Sequence, residues 1–202
     1  MKILLASLLA LVTLAWGWDI SHPVVSAPVH PLWFARQELL YLSGLLSVAM
    51  LSLAMFLATR PVWLEAPLNG MDRIYRGHKW AGMLATGFAA LHWLIEMSDD
   101  VLKAVIGREG RVPREKFAGV LDVLRDLAGD MGEWAFYALL AMLLITLWKK
   151  FPYRPWRGLH QAMPLLYLAL VFHAVLLVPV AYWRQPVGLL LVMLLAAGVY
   201  GA

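Results

Sequence analysis

The 202-residue chain has no cysteine. That excludes disulfides, iron–sulfur clusters, thiolate-ligated haem and covalent c-type haem attachment. No glycine-rich nucleotide fingerprint occurs either. Acids are scarce, 13 Asp and Glu in all, and Glu38, Glu96 and Glu133 fall at the ends of apolar runs rather than inside them. A transporter would be expected to carry intramembrane acids, so their position weighs against proton relay or metal transport. What the chain has in quantity is hydrophobic residues, 62% of the total, with a mean hydropathy of +0.70. Several apolar runs are long enough to span a bilayer, which places it among polytopic membrane proteins with no soluble domain. The formal net charge of +4 is not a nucleic-acid signal. The basic residues cluster beside hydrophobic runs, where they set topology.

Taken in order, the sequence predicts an all-α, six-helix transmembrane bundle. The expected spans are residues 3–18, 32–57, 74–97, 132–148, 156–180 and 187–202. The first run is short and follows Lys2, so a signal peptide competes with a retained span; no small-x-small cleavage site is evident around Trp16-Gly17-Trp18. His22 and His30 fall in a proline-rich stretch and read as solvated loop residues. Residues 98–131 form the longest polar segment. Within it Phe117, Val120, Leu121, Leu124 and Leu127 recur at helical spacing, with Arg114, Glu115, Asp122, Arg125 and Asp126 on other faces. That predicts a short amphipathic helix on the membrane surface or capping the bundle.

Arg60, Arg73, Arg76, Lys79, Lys149, Lys150, Arg154 and Arg157 flank one side of a six-span arrangement, and Lys2 joins them. Both termini are therefore expected in the cytoplasm. Trp18, Trp33, Trp80, Trp93, Trp134, Trp148, Trp156 and Trp183 lie near span ends, as an aromatic belt requires.

The third and fifth spans each carry two histidines, His78 with His92 and His160 with His173. Fourteen positions separate the first pair, which is nearly four full turns and about 21 Å along one helix face. The second pair is thirteen positions apart, which leaves the side chains roughly 140° apart on an ideal helix. Pro164 lies between them, where a kink could change the phase. The two spans run parallel in this topology, so His78 matches His160 in depth and His92 matches His173. Each pair could clamp a haem iron from both axial sides, giving two b-type haems across the bilayer. Gly77, Gly82, Gly87 and Gly158 could admit a flat macrocycle or serve close helix packing. A non-haem membrane carrier or scaffold is the reading from another class.

Further motifs carry a resemblance. They are Arg36 before Leu39-Leu-Tyr-Leu-Ser-Gly44, Met71-Asp-Arg-Ile-Tyr-Arg-Gly-His78-Lys-Trp-Ala-Gly82 with Leu91-His92, Pro152-Tyr-Arg-Pro-Trp-Arg-Gly-Leu-His160, and Phe172-His173. Over roughly residues 35–195 the chain resembles the transmembrane domain of the ferric reductase and NADPH oxidase superfamily. The resemblance implies that His78 and His160 hold a cytoplasmic-side haem and His92 and His173 an outer one. It places Arg36 near the outer haem, against a propionate or an acceptor, and Arg73, Arg76 and Lys79 beside inner-haem propionates. Tyr167, Leu166 and Phe88 would border the gap between haems. Electrons would pass from cytoplasmic NAD(P)H through FAD, on a missing domain or a flavoprotein partner, to an outer ferric chelate or dioxygen. The runner-up is a stand-alone haem subunit, like that of the periplasmic methionine sulfoxide reductase system, serving a periplasmic protein. Either way the expected location is the bacterial cytoplasmic membrane.

Overall fold

In lipid a backbone must close its hydrogen bonds within a helix or a closed barrel, and continuous apolar runs of about 20 residues suit the helix. The computed structural model describes residues 1–21, 30–112, 115 and 117–202, and no strand occurs among them. His22 and Arg114 lie outside the described residues. In chain order the helices are α1 (Lys2–Ser21), α2 (Pro31–Ala58), α3 (Glu65–Leu68), α4 (Met71–Ile106), α5 (Val120–Leu147), α6 (Tyr153–His160), α7 (Met163–Leu177) and α8 (Pro186–Gly201), with single 3₁₀ turns at Val62–Leu64 and Val180–Arg184. Four stretches are long and apolar enough to cross a membrane: α1, α2, α5, and α6 with α7. The chain is thus an all-helical integral membrane protein. Helix α8 is apolar but shorter, and α4 is diluted by His78, Lys79, His92 and Glu96.

The boundaries follow local chemistry. Helix α2 opens on Pro31, whose missing N–H costs nothing in a first turn. His30 caps it, its Nδ1 accepting the Leu32 N–H at 3.2 Å. It is therefore a structural residue rather than a solvated loop histidine. Helix α3 ends on Asn69 in the left-handed region (φ 58°), and Gly70 follows at φ 108°, a value open to glycine.

The expectations for the polar segment and for Arg125 are corrected. Among the described residues, no separate amphipathic helix lies between α4 and α5. Residues 98–106 continue α4, where Lys103 pairs with Asp99 one turn back, and the amphipathic stretch from Val120 is the first part of α5. Gly129 and Gly132 do not stop that helix, because a helix tolerates glycine when packing rewards it. Arg125, placed on a polar face by periodicity, is buried; it donates to the Leu176 carbonyl at 2.7 Å and lies 4.5 Å over the Phe117 ring. The interruption expected near Pro164 is present in the fifth span: α6 ends at His160, Gln161 and Ala162 form a turn, and α7 restarts with Pro164 in its first turn.

Helix α2 is the hub. It packs along α4 and α8, while α5 packs chiefly on α7. Ala49 and Ala54 on α2 and Ala81 and Ala85 on α4 are fully or nearly buried, and small residues let helix backbones approach closely. Around them Leu5, Met50, Leu51, Met55, Leu139 and Tyr167 form one apolar core spanning five helices. Leu14, Leu165 and Leu189 face outward and are exposed, as lipid contact requires. Trp33 departs from the expected belt. It is 2% exposed and its indole donates to the Gly107 carbonyl at 3.3 Å.

Candidate functional site

The break between α6 and α7 answers the phase problem posed by thirteen residues. Helix α4 is continuous through His78 and His92, whereas His160 closes α6 and His173 belongs to α7. Each of the latter is thereby oriented separately, and both reach α4. The His78 and His160 ring centroids lie 5.9 Å apart, and those of His92 and His173 lie 6.2 Å apart. Within each pair the planes cross at 83°.

Those distances can be tested against a shared metal. An imidazole–metal bond of about 2.0 Å on each side, with about 1.2 Å from nitrogen to ring centre, separates two axial imidazoles by roughly 6.4 Å. The ring separations of both pairs are close to that value. No group of three or more His, Cys, Asp or Glu that could hold a bare ion occurs among the described residues. Each pair supplies two nitrogens, the number of axial positions on a metalloporphyrin.

Tautomer follows from the partners. His78 Nδ1 is 2.8 Å from the Ala54 carbonyl, His92 Nδ1 is 2.9 Å from Leu40, and His173 Nδ1 is 2.8 Å from Ala128. A carbonyl only accepts, so Nδ1 carries the proton and Nε2 keeps the lone pair a metal needs.

These carbonyls share a device. A helical side chain leans toward the N-terminus and covers the carbonyl four residues before it, so a small residue there leaves that oxygen reachable. Gly44 follows Leu40, Ala58 follows Ala54 and Gly132 follows Ala128 at that interval. A Cβ at Gly44 would stand 3.1 Å from His92 Nδ1, and one at Gly132 would overlap the His173 ring. Sequence reading singled out other glycines. Gly77 packs on Met1 and Leu57, whereas no described atom lies within 4 Å of a Cβ position at Gly82, Gly87 or Gly158.

A comparison with known families bears directly on this arrangement. The family described as "Ferric reductase like transmembrane component" matches residues 43–171, well over half of the chain. The chain belongs to this family. No curated protein matches it. The matched region contains His78, His92 and His160, ends two residues before His173 and begins seven after Arg36. Membership places the ferric reductase-like chain among membrane redox components.

Of the other residues named from sequence, Arg36 in the ferric reductase-like chain is buried. Its guanidinium donates to the Glu96 carbonyl at 2.9 Å and the Glu96 carboxylate at 3.0 Å, and it lies 3.6 Å from Asp99. Asp99 also pairs with Lys103 at 2.6 Å and Arg111 at 2.7 Å, so one carboxylate ties α2, α4 and the following loop together. Burial opposes ionisation of Asp99, but the hydrogen bond from Lys103 and the charges of Arg111 and Arg36 outweigh it and hold the carboxyl below the usual range. Arg73, Arg76 and Lys79 are exposed on the first turns of α4. Tyr167 is buried, sharing a 2.8 Å hydrogen bond with Ser52, and Leu166 and Phe88 pack against the same core. The parts sequence reasoning missed are Gly132, Ala54 and Ala128. Their signal, a small residue on a neighbouring helix, has meaning only once the helices are paired.

Proposed function

We propose that this chain is a di-haem b-type membrane cytochrome of six spans with both termini in the cytoplasm. It would pass electrons from a cytoplasmic flavin and NAD(P)H source to an acceptor outside. The observation that carries the reading is a pair of adjacent imidazoles at each of two levels, with ring separations that suit a shared iron, three of the four held by carbonyls in the tautomer that frees Nε2. His78 and His160 would hold the inner haem, His92 and His173 the outer one. Bound haem would supply a one-electron iron couple at each level. The chain's residues do the rest. The carbonyls of Ala54, Leu40 and Ala128 fix ring orientation and strengthen the ligands as donors. The core around Tyr167, Leu166 and Phe88 excludes water between the two levels. With two imidazoles holding each iron no position would stay open, so an acceptor would be reduced without binding the metal. That suits a ferric chelate, dioxygen or a periplasmic protein meeting the outer edge.

Arg73, Arg76 and Lys79, exposed beside His78, suit pairing with inner propionates at the cytoplasmic face. Arg36 lies one turn from Leu40, which holds His92, and its guanidinium, paired with Glu96, would stand near the outer level. FAD and NAD(P)H would sit on a flavoprotein domain or subunit.

The purified protein, reduced chemically, is expected to show sharp α and β bands and two b haems per chain by pyridine haemochrome. His92→Ala or His173→Ala is expected to remove half the haem and spare the inner site. A colourless protein, or equal loss from both sites, overturns the proposal.

A further inference from the structure

The four histidines are not held alike. Three donate Nδ1–H to a backbone carbonyl of a neighbouring helix. His160 does not: its Nδ1 is buried and has no hydrogen-bond partner among the described residues. A metal-binding imidazole needs an orienting contact, because rotation about its side-chain torsions would carry the lone pair off the metal axis.

His160 has a contact of another kind. Trp156, four residues earlier on α6, stacks on it with ring centroids 5.0 Å apart and planes only 13° from parallel. That interval brings side chains together on one helix face. The indole is itself fixed. Its Nε1–H donates to the Thr146 hydroxyl on α5 at 3.0 Å, and Thr146 donates onward to the Met142 carbonyl at 2.7 Å. The Thr146 hydroxyl proton is thus committed and its lone pairs face the indole. Tyr153 adds a tilted ring contact to Trp156 at 5.6 Å. Helix α5 ends at Leu147, so what it offers at this level is the Thr146 hydroxyl in its last turn, reached by the indole.

We infer that Trp156 is the positioning residue for His160, its ring stack taking the place of the carbonyl bond that orients the other three histidines, with Thr146 fixing the indole. This rests on the di-haem reading above. An imidazole without the Nδ1–H···O=C bond is a weaker electron donor, so the inner site has the less basic ligand set. Its ligand geometry depends on one stacked ring. Loss of an orienting partner typically weakens metal binding by about 10–100-fold.

The test uses the full chain in detergent or lipid nanodiscs, with haem bound. It reads electron paramagnetic resonance of the oxidised low-spin haems and their midpoint potentials. Trp156→Leu is expected to shift or abolish the inner component, with loss of up to half the haem, while the outer component and potential stay unchanged. Trp156→Phe keeps a ring for stacking and is expected to restore most of the inner signal. Thr146→Val leaves the indole present but unanchored and should shift the inner component in the same direction by less. Repeating these in a His92→Ala background, where only the inner site binds, reads the shift without overlap. The assignment is overturned if Trp156→Leu leaves both components unchanged, if it depletes both equally, or if Phe does no better than Leu. A wild-type protein without haem defeats the di-haem reading. A two-haem wild type that keeps both signals in Trp156→Leu defeats only the role given to Trp156.

Discussion

A single hydrogen atom at Gly132 keeps the His173 ring where it is. A Cβ there would occupy the volume of the imidazole, and the ring cannot swing aside without giving up its bond to Ala128. Gly132→Ala is therefore expected to cost about 1–3 kcal/mol in overpacking and to displace the His173 ring. Thermal unfolding in detergent and haem content check it together. Gly44→Ala, whose Cβ would meet His92 at 3.1 Å, is expected to act in the same direction more weakly. Equal, near-zero effects at both positions would contradict the account. The logic extends to Trp33 and Arg125, both read from sequence as interfacial and both buried. Their polar atoms reach the carbonyls of Gly107 and Leu176, a partner that no one-dimensional pattern reveals.

Among the elements, α4 outruns the span read from hydropathy, ending at Ile106 rather than near Met97. The added turns carry Asp99, whose contacts with Arg36, Lys103 and Arg111 join the start of α2 and the end of α4 to the loop beyond. Because the folded Asp99 carboxyl titrates below its unfolded value, its contribution is fully present above about pH 4 and is lost as pH falls through the depressed value. Unfolding midpoints of wild type and Asp99→Asn, compared from about pH 7 down to about pH 3, are expected to converge at the acid end. A gap that does not change with pH would refute this. Legibility also divides by element. Fourteen residues on an unbroken α4 predict one face correctly, since 3.6 residues per turn holds along it. Thirteen residues on α6 and α7 could not be phased. Pro164 announced a disturbance, but the actual turn at Gln161 and Ala162 is a matter of how α7 restarts. The outer loop was misread because an amphipathic start and an apolar continuation form one helix, α5.

For the molecule as a whole, the charge bias is a claim about orientation. The absence of cysteine makes it directly testable. Lys150 and Glu109 are exposed at opposite ends of the bundle. In right-side-out vesicles, Lys150→Cys is expected to resist an impermeant maleimide and Glu109→Cys to react. The reverse pattern would invert the topology and, with it, the proposed direction of electron flow. Composition made the all-helical membrane class legible, and the histidine motifs made the family legible. The hub role of α2 was not. Nothing in its sequence distinguishes a helix buried on several sides from one facing lipid, because both are apolar throughout.

One rigid rod and one jointed one make an asymmetric frame. Helix α4 fixes His78 and His92 relative to each other, while the turn after His160 separates its helix from that of His173. On the proposed reading, a substitution at Gln161 or Ala162 would re-aim His160 without turning His173, so the voltage drop along the path would be adjustable one step at a time.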